Sequence, residues 1–233
     1  MILENTPYSQ VIQTMLDEKE KVSFAMRKLR KMKNMPEVFV STYTLPSSKN
    51  TYLFWGGKIK VPTFFTRPTS CNYRMGSCLM VNTNNGERMV YCLSKKADGN
   101  KTYDCLLVYT SHFFKRYRER AMVSETMPTL ELISLFMNRN IEMIPLDYEE
   151  FTKKPMKNGT AMQMCDGVLL GTETKYNEDG YEYYVVKNNT FLTESILKTD
   201  QEEELVTGKK MQKRLADCAK EFVKSHPLLS KFV

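Results

Sequence analysis

Apolar positions recur at helical spacing near the start of the chain and at strand spacing after it. Val11, Ile12, Met15, Leu16, Val22, Met26 and Leu29 share one side of a helix predicted over residues 6–33. Thr6 is placed to cap it, and Pro7 then sits at the first helical position. Its last turns are basic (RKLRKMK, 27–33), which suits the negative end of a helix dipole, and Pro36 follows. From Glu37 to Tyr109 the pattern shortens to β-rich runs: VFVSTY (38–43), TYLFW (51–55), KIKVPTFF (58–65), SCLMVN (77–82), RMVYCLS (88–94) and TYDCLLVY (102–109). Turn chemistry separates them, and the NNG and ADG triplets read as hairpin connections. The alternation within the runs is imperfect, which leaves their registers open.

Helical spacing returns from Ser111 to about Met122, with Ser111 as N-cap, and again over 126–138. Residues 141–159 read as irregular, with Pro145, Pro155 and Gly159. AMQMCDGVLLGTETKY (161–176) and YEYYVVKNNTFL (181–192) then flank an EDG turn as the arms of a hairpin. In the second arm Tyr181, Tyr183 and Val185 share one face, with Glu182, Tyr184 and Val186 on the other. Two further helices are predicted over 193–205 and 209–224, broken at Gly208.

The expected fold class is α+β: an antiparallel sheet of meander and hairpin, with a long N-terminal helix, a central helix and C-terminal helices. No Pro/Gly/Ser-rich linker interrupts the chain, so one domain over 1–233 is expected. The alternative is a helix plus strand-rich part (1–100) and a second α+β part (101–233).

Composition narrows the function classes. No apolar run is long enough to span a bilayer, so no membrane partner is expected, and the start lacks the pattern of a secretory signal, which argues for a cytoplasmic protein. The six cysteines form no CxxC pair and the two histidines, His112 and His226, lie far apart, so no metal site is expected and the thiols read as free and mostly buried. GxGxxG, GxxxxGK[ST], HExxH and GxSxG are all absent.

The net charge of +7 is unevenly spread. Residues 58–120 carry 12 basic and 4 acidic side chains, and residues 121–208 carry 7 and 16. Either the basic part meets an anionic partner, RNA or an acidic protein, or the two parts compensate each other in the fold.

The basic excess ends in TSHFFKRYRER (110–120). On a helix His112, Arg116 and Arg120 form one stripe at i, i+4 and i+8, opposite Phe113, Phe114, Tyr117 and Ala121. An imidazole beside two guanidiniums suits a phosphodiester, with one proton-transfer group and two anion clamps. The plainer reading is an amphipathic helix whose charged face is solvated, with Glu119 paired to Lys115 or Arg116. Both stand on the sequence.

H-x3-R-x3-R opening a helix, followed by GVLLGTETKYNEDGYEYYVVKNNTFL with Gly171 before the turn and Thr190 in the second strand, resembles BrnT-like and related domains of the RelE/barnase/EndoU ribonuclease-toxin group. The resemblance covers roughly residues 105–195. It implies a histidine-bearing helix against a small antiparallel sheet, and metal-independent endoribonuclease activity without a cofactor. His112 would transfer the proton, and Arg116 and Arg120 would stabilise the pentacoordinate phosphate. Lys187 and Thr190 would be the substrate-binding candidates on the far side of that phosphate, their plainer reading being an ordinary strand end. Family members are near half this length, and Ala121-Met122-Val123 departs from the pattern that often follows the last arginine. A non-catalytic binding protein and a structural or interaction protein with an inert stripe remain as competing readings.

Overall fold

The computed structural model describes residues 1–30, 38–58, 73–121, 123–140 and 143–193. Within them the chain runs α1 (Tyr8–Arg30), β1 (Val38–Thr44), β2 (Thr51–Lys58), β3 (Tyr73–Asn82), β4 (Arg88–Asp98), β5 (Lys101–Tyr109), α2 (Ser111–Arg120), α3 (Thr129–Arg139), β6 (Ile144–Leu146), α4 (Tyr148–Thr152), β7 (Gly159–Met164), β8 (Gly167–Glu178) and β9 (Tyr181–Leu192). The helices predicted over 193–205 and 209–224, and most of the KIKVPTFF run, lie outside the described residues, as does His226.

The described strands form one mostly antiparallel sheet in the order β1-β2-β3-β4-β5-β9-β8-β7-β6. One pair departs from the antiparallel expectation. β5 and β9 run parallel, with Asp104 opposite Tyr183 and Tyr109 opposite Asn188. A parallel neighbour requires a crossover, and α2 and α3 supply its start. The segment read as irregular holds β6 and α4, and the first arm of the expected hairpin is two strands, broken at Asp166.

The imperfect alternation has a physical cause: both faces of the sheet are buried. On one face Val11, Ile12, Met15 and Val22 of α1 pack on Tyr52, Phe54, Leu79, Val81, Tyr91, Leu106, Val108, Tyr183 and Val185. On the other, Phe113, Phe114 and Tyr117 of α2 and Leu132, Ile133 and Phe136 of α3 pack on Leu53, Cys78, Val90, Tyr109 and Phe191. Each fully buried aliphatic or aromatic side chain contributes roughly 1.5–3 kcal/mol, so neither layer is dispensable. Val11, Ile12, Phe113 and Tyr117 are all fully buried, which anchors both α1 and α2.

A half-buried polar cluster fixes α2 and α3 to the β7–β8 turn. The Tyr117 hydroxyl donates to Asp166 at 2.6 Å, Asn140 Nδ2 donates to the same carboxylate at 3.0 Å, and Arg139 pairs with it at 2.6 Å. The Asp166 amide in turn donates to Asn140 Oδ1 at 3.0 Å. Burial, and then the carboxylate, push the Tyr117 hydroxyl far above its ordinary range.

The candidate anion-binding face of α2

α2 begins where β5 ends, and the side chain that starts it is Thr110, not Ser111. Thr110 is extended and its hydroxyl accepts from Phe113 N at 3.1 Å. The three rings of α2 point into the core, which leaves the stripe facing outward. Among its members Arg116 Nε donates to His112 Nε2 at 3.4 Å, and Arg116 pairs with Glu119 at 3.2 Å with both side chains exposed. The pairing of Glu119 therefore falls to Arg116, and among the described residues Lys115 enters no ion pair.

Arg120 turns inward from the same stripe. It donates to the Phe191 carbonyl and to Thr190 Oγ1, the latter at 3.2 Å. β5 and β9 stop pairing at Tyr109 and Asn188, so these two residues lie just past the end of the ladder, where β5 has turned into α2. Arg120 is thus tied to β9 at the place where its parallel neighbour is lost. Its guanidinium is held below the usual arginine range, first by burial and then by the charge of Arg116, with Glu119 acting in the opposite sense.

β9 brings Thr190 to the stripe through a register shift. Gly171 pairs with Asn188 and Leu170 with Thr190, so Asn189 has no partner on β8 and forms a bulge. The backbone approach there demands glycine: a Cβ on Gly171 would stand 2.3 Å from the Lys187 carbonyl oxygen. Lys187 goes elsewhere. Its ammonium lies over the Tyr8 ring at 5.2 Å, and Tyr8 belongs to α1, on the opposite face of the sheet. The structure therefore brings His112, Arg116, Arg120 and Thr190 into one contiguous arrangement and leaves Lys187 apart from it.

Beside the stripe, on the next face of α2, is a cleft that the sequence reading did not contain. Arg88 and Glu87 of the β3–β4 turn, Phe114, Lys115 and Arg118 of α2, and Leu130 of α3 line a volume of about 620 Å³. Arg118 is anchored by one nitrogen that donates to the carbonyls of Ser124, Glu125 and Met127 at 3.0, 2.9 and 2.7 Å. Arg88 counts toward the basic excess of residues 58–120, but nothing local to it signals that it meets α2.

Among the described residues no three of His, Cys, Asp and Glu converge as a metal site, and no helix is long and apolar enough to cross a membrane. Cys78, Cys92, Cys105 and Cys165 are free thiols, of which Cys165 is exposed. Comparison with protein-family models, with curated proteins and with solved structures gave no match.

Proposed function

We propose that the exposed face of α2 binds the phosphodiester backbone of RNA. The observation that carries this is the outward stripe of α2, on which Arg116 lies beside His112 and meets a single exposed carboxylate, Glu119, while Arg120 ends the stripe against Thr190. A phosphate accepts two parallel N–H donors from a guanidinium, and Arg116 and Arg120 stand one helical turn apart on the same helix. Thr190 adds a hydroxyl at the inner end of the same arrangement. The experiment is RNA binding by the full chain, compared among wild type, Arg116→Ala and His112→Ala. Binding that survives at His112→Ala and weakens at Arg116→Ala supports the reading. Folded wild-type protein that leaves RNA free at low salt rejects it.

A second reading, metal-independent RNA cleavage, is favoured by one contact. Arg116 Nε donates to His112 Nε2 at 3.4 Å, which sets an imidazole beside a guanidinium on an open surface. In that reading His112 exchanges a proton with the ribose 2′-hydroxyl or the leaving 5′-oxygen, while Arg116 stabilises charge on the phosphorane. Cleavage in EDTA that vanishes in His112→Ala, with binding retained, supports it. RNA that is bound and stays intact leaves binding alone.

A further inference from the structure

The cleft beside the stripe has two kinds of wall. Lys115 and Arg88 supply cations, and among the described residues neither is engaged in an ion pair. Arg118 adds a third charge held in place by three carbonyls. Among the described residues that line the cleft, Glu87 alone opposes them. Pro128 and Leu130 form an apolar side, and the volume of about 620 Å³ lies within the range of small-ligand sites. Lys115 belongs to the cleft, while its sequence neighbour Arg116 belongs to the stripe, so one short helix carries cations of both.

Resting on the RNA-binding reading, we infer that this cleft receives the adjoining stretch of the same strand, with a backbone phosphate against Arg88 and Lys115 and a base against Pro128 and Leu130. The ligand class is then single-stranded RNA of several nucleotides rather than a mononucleotide or a closed duplex. A duplex keeps its bases stacked and cannot offer one to an apolar wall, whereas a single strand can splay one out. Charge complementarity selects the occupant, because three cations face one carboxylate in a cleft that also offers apolar surface.

The test uses a fluorescein-labelled ten-nucleotide single-stranded RNA and the full chain as wild type, Arg88→Ala/Lys115→Ala, and Arg116→Ala. Circular dichroism verifies the fold of each, and neither replaced side chain of the double variant is buried. Each lost phosphate contact lowers the salt slope of log K by about 0.7 for a single strand. The double variant gives up that one phosphate, so it is expected to lose about 0.7 of slope and to bind at least roughly tenfold more weakly at low salt. A double variant that binds like wild type, while Arg116→Ala weakens binding, overturns the cleft and spares the stripe. Wild-type protein with no affinity for the decamer overturns both. A matching duplex bound as tightly as the single strand also removes the cleft from the account.

Discussion

Glu18 is a carboxylate with only 6% of its surface exposed, and what neutralises its burial is hydrogen bonding. Asn50 Nδ2 donates to its two oxygens at 3.0 and 3.1 Å, and the Tyr52 hydroxyl donates at 2.6 Å. Asn50 Oδ1 also takes the Ile2 amide at 2.7 Å, so one cluster ties α1, β2 and the first residues together. Tyr52→Phe removes one of the two groups that donate to a buried carboxylate and should cost about 1–3 kcal/mol in urea unfolding. A loss near zero would mean that water replaces the hydroxyl. The tyrosines give a pH dependence with a definite sign. Burial first, then the nearby Tyr8 and Glu4, push Tyr91 up to about 12 from an ordinary value of 10.0. The folded state thus holds this proton more tightly than the unfolded one. Its contribution to stability is whole below pH 10 and is lost as pH rises toward about 12. Tyr52 and Tyr117 shift in the same direction. Absorbance at 295 nm should therefore show a group of tyrosines that ionise only as the protein unfolds; a titration complete near pH 10 without unfolding would contradict this. At this scale the sequence exposed residue types but not partners: it marked Arg120 as one of a stripe, and nothing near it foretold the Phe191 carbonyl.

At the scale of the element, α2 was the most legible part of the chain. Phe113, Phe114 and Tyr117 follow helical spacing and are the buried residues of that helix. Its cap lay one residue earlier than expected, because Thr110 is extended and can fold its hydroxyl over the Phe113 amide. Thr110→Ala should cost about 1 kcal/mol of stability, read by thermal or urea denaturation. At the other helix start, Thr6 Oγ1 accepts from Leu3 N at 2.9 Å, and α1 begins at Tyr8. The β9 bulge was hidden, since a bulge shows in sequence only as a nearby glycine, and Gly171 sits on the partner strand. Gly171→Ala should destabilise by roughly 1–3 kcal/mol, because its Cβ meets backbone rather than a movable side chain. It should also weaken whatever depends on Thr190; an alanine variant of unchanged stability would show that the two strands can separate there at no cost.

At the scale of the whole molecule, the alternation of strands and helices was readable and the sheet order was not. The β5–β9 pair joins residues more than seventy positions apart, and local pattern carries no trace of such a pairing. The uneven charge resolves in two ways at once. Lys96 pairs with Glu173 and Lys95 with Asp104, while Lys175 pairs with Glu182, so the lysines at the hairpin ends are compensated within the fold. Arg88 and Lys115 are outside that set; Lys115 and Arg118 line the cleft, Arg116 faces solvent, and Arg120 turns inward to β9. Uncompensated cations thus remain on the α2 side of the sheet, while Lys19, Lys21 and Arg27 of α1 line a surface on the other.

The most direct measurement of RNA binding by the α2 face is fluorescence anisotropy of a single-stranded RNA decamer with wild type and Arg116→Ala, repeated from about 50 to 200 mM salt. The account predicts that log K falls linearly with log salt for wild type, and that Arg116→Ala binds more weakly with a slope shallower by about 0.7. Equal affinities and equal slopes for the two folded proteins would contradict it, and the stripe on α2 would be a solvated helix face.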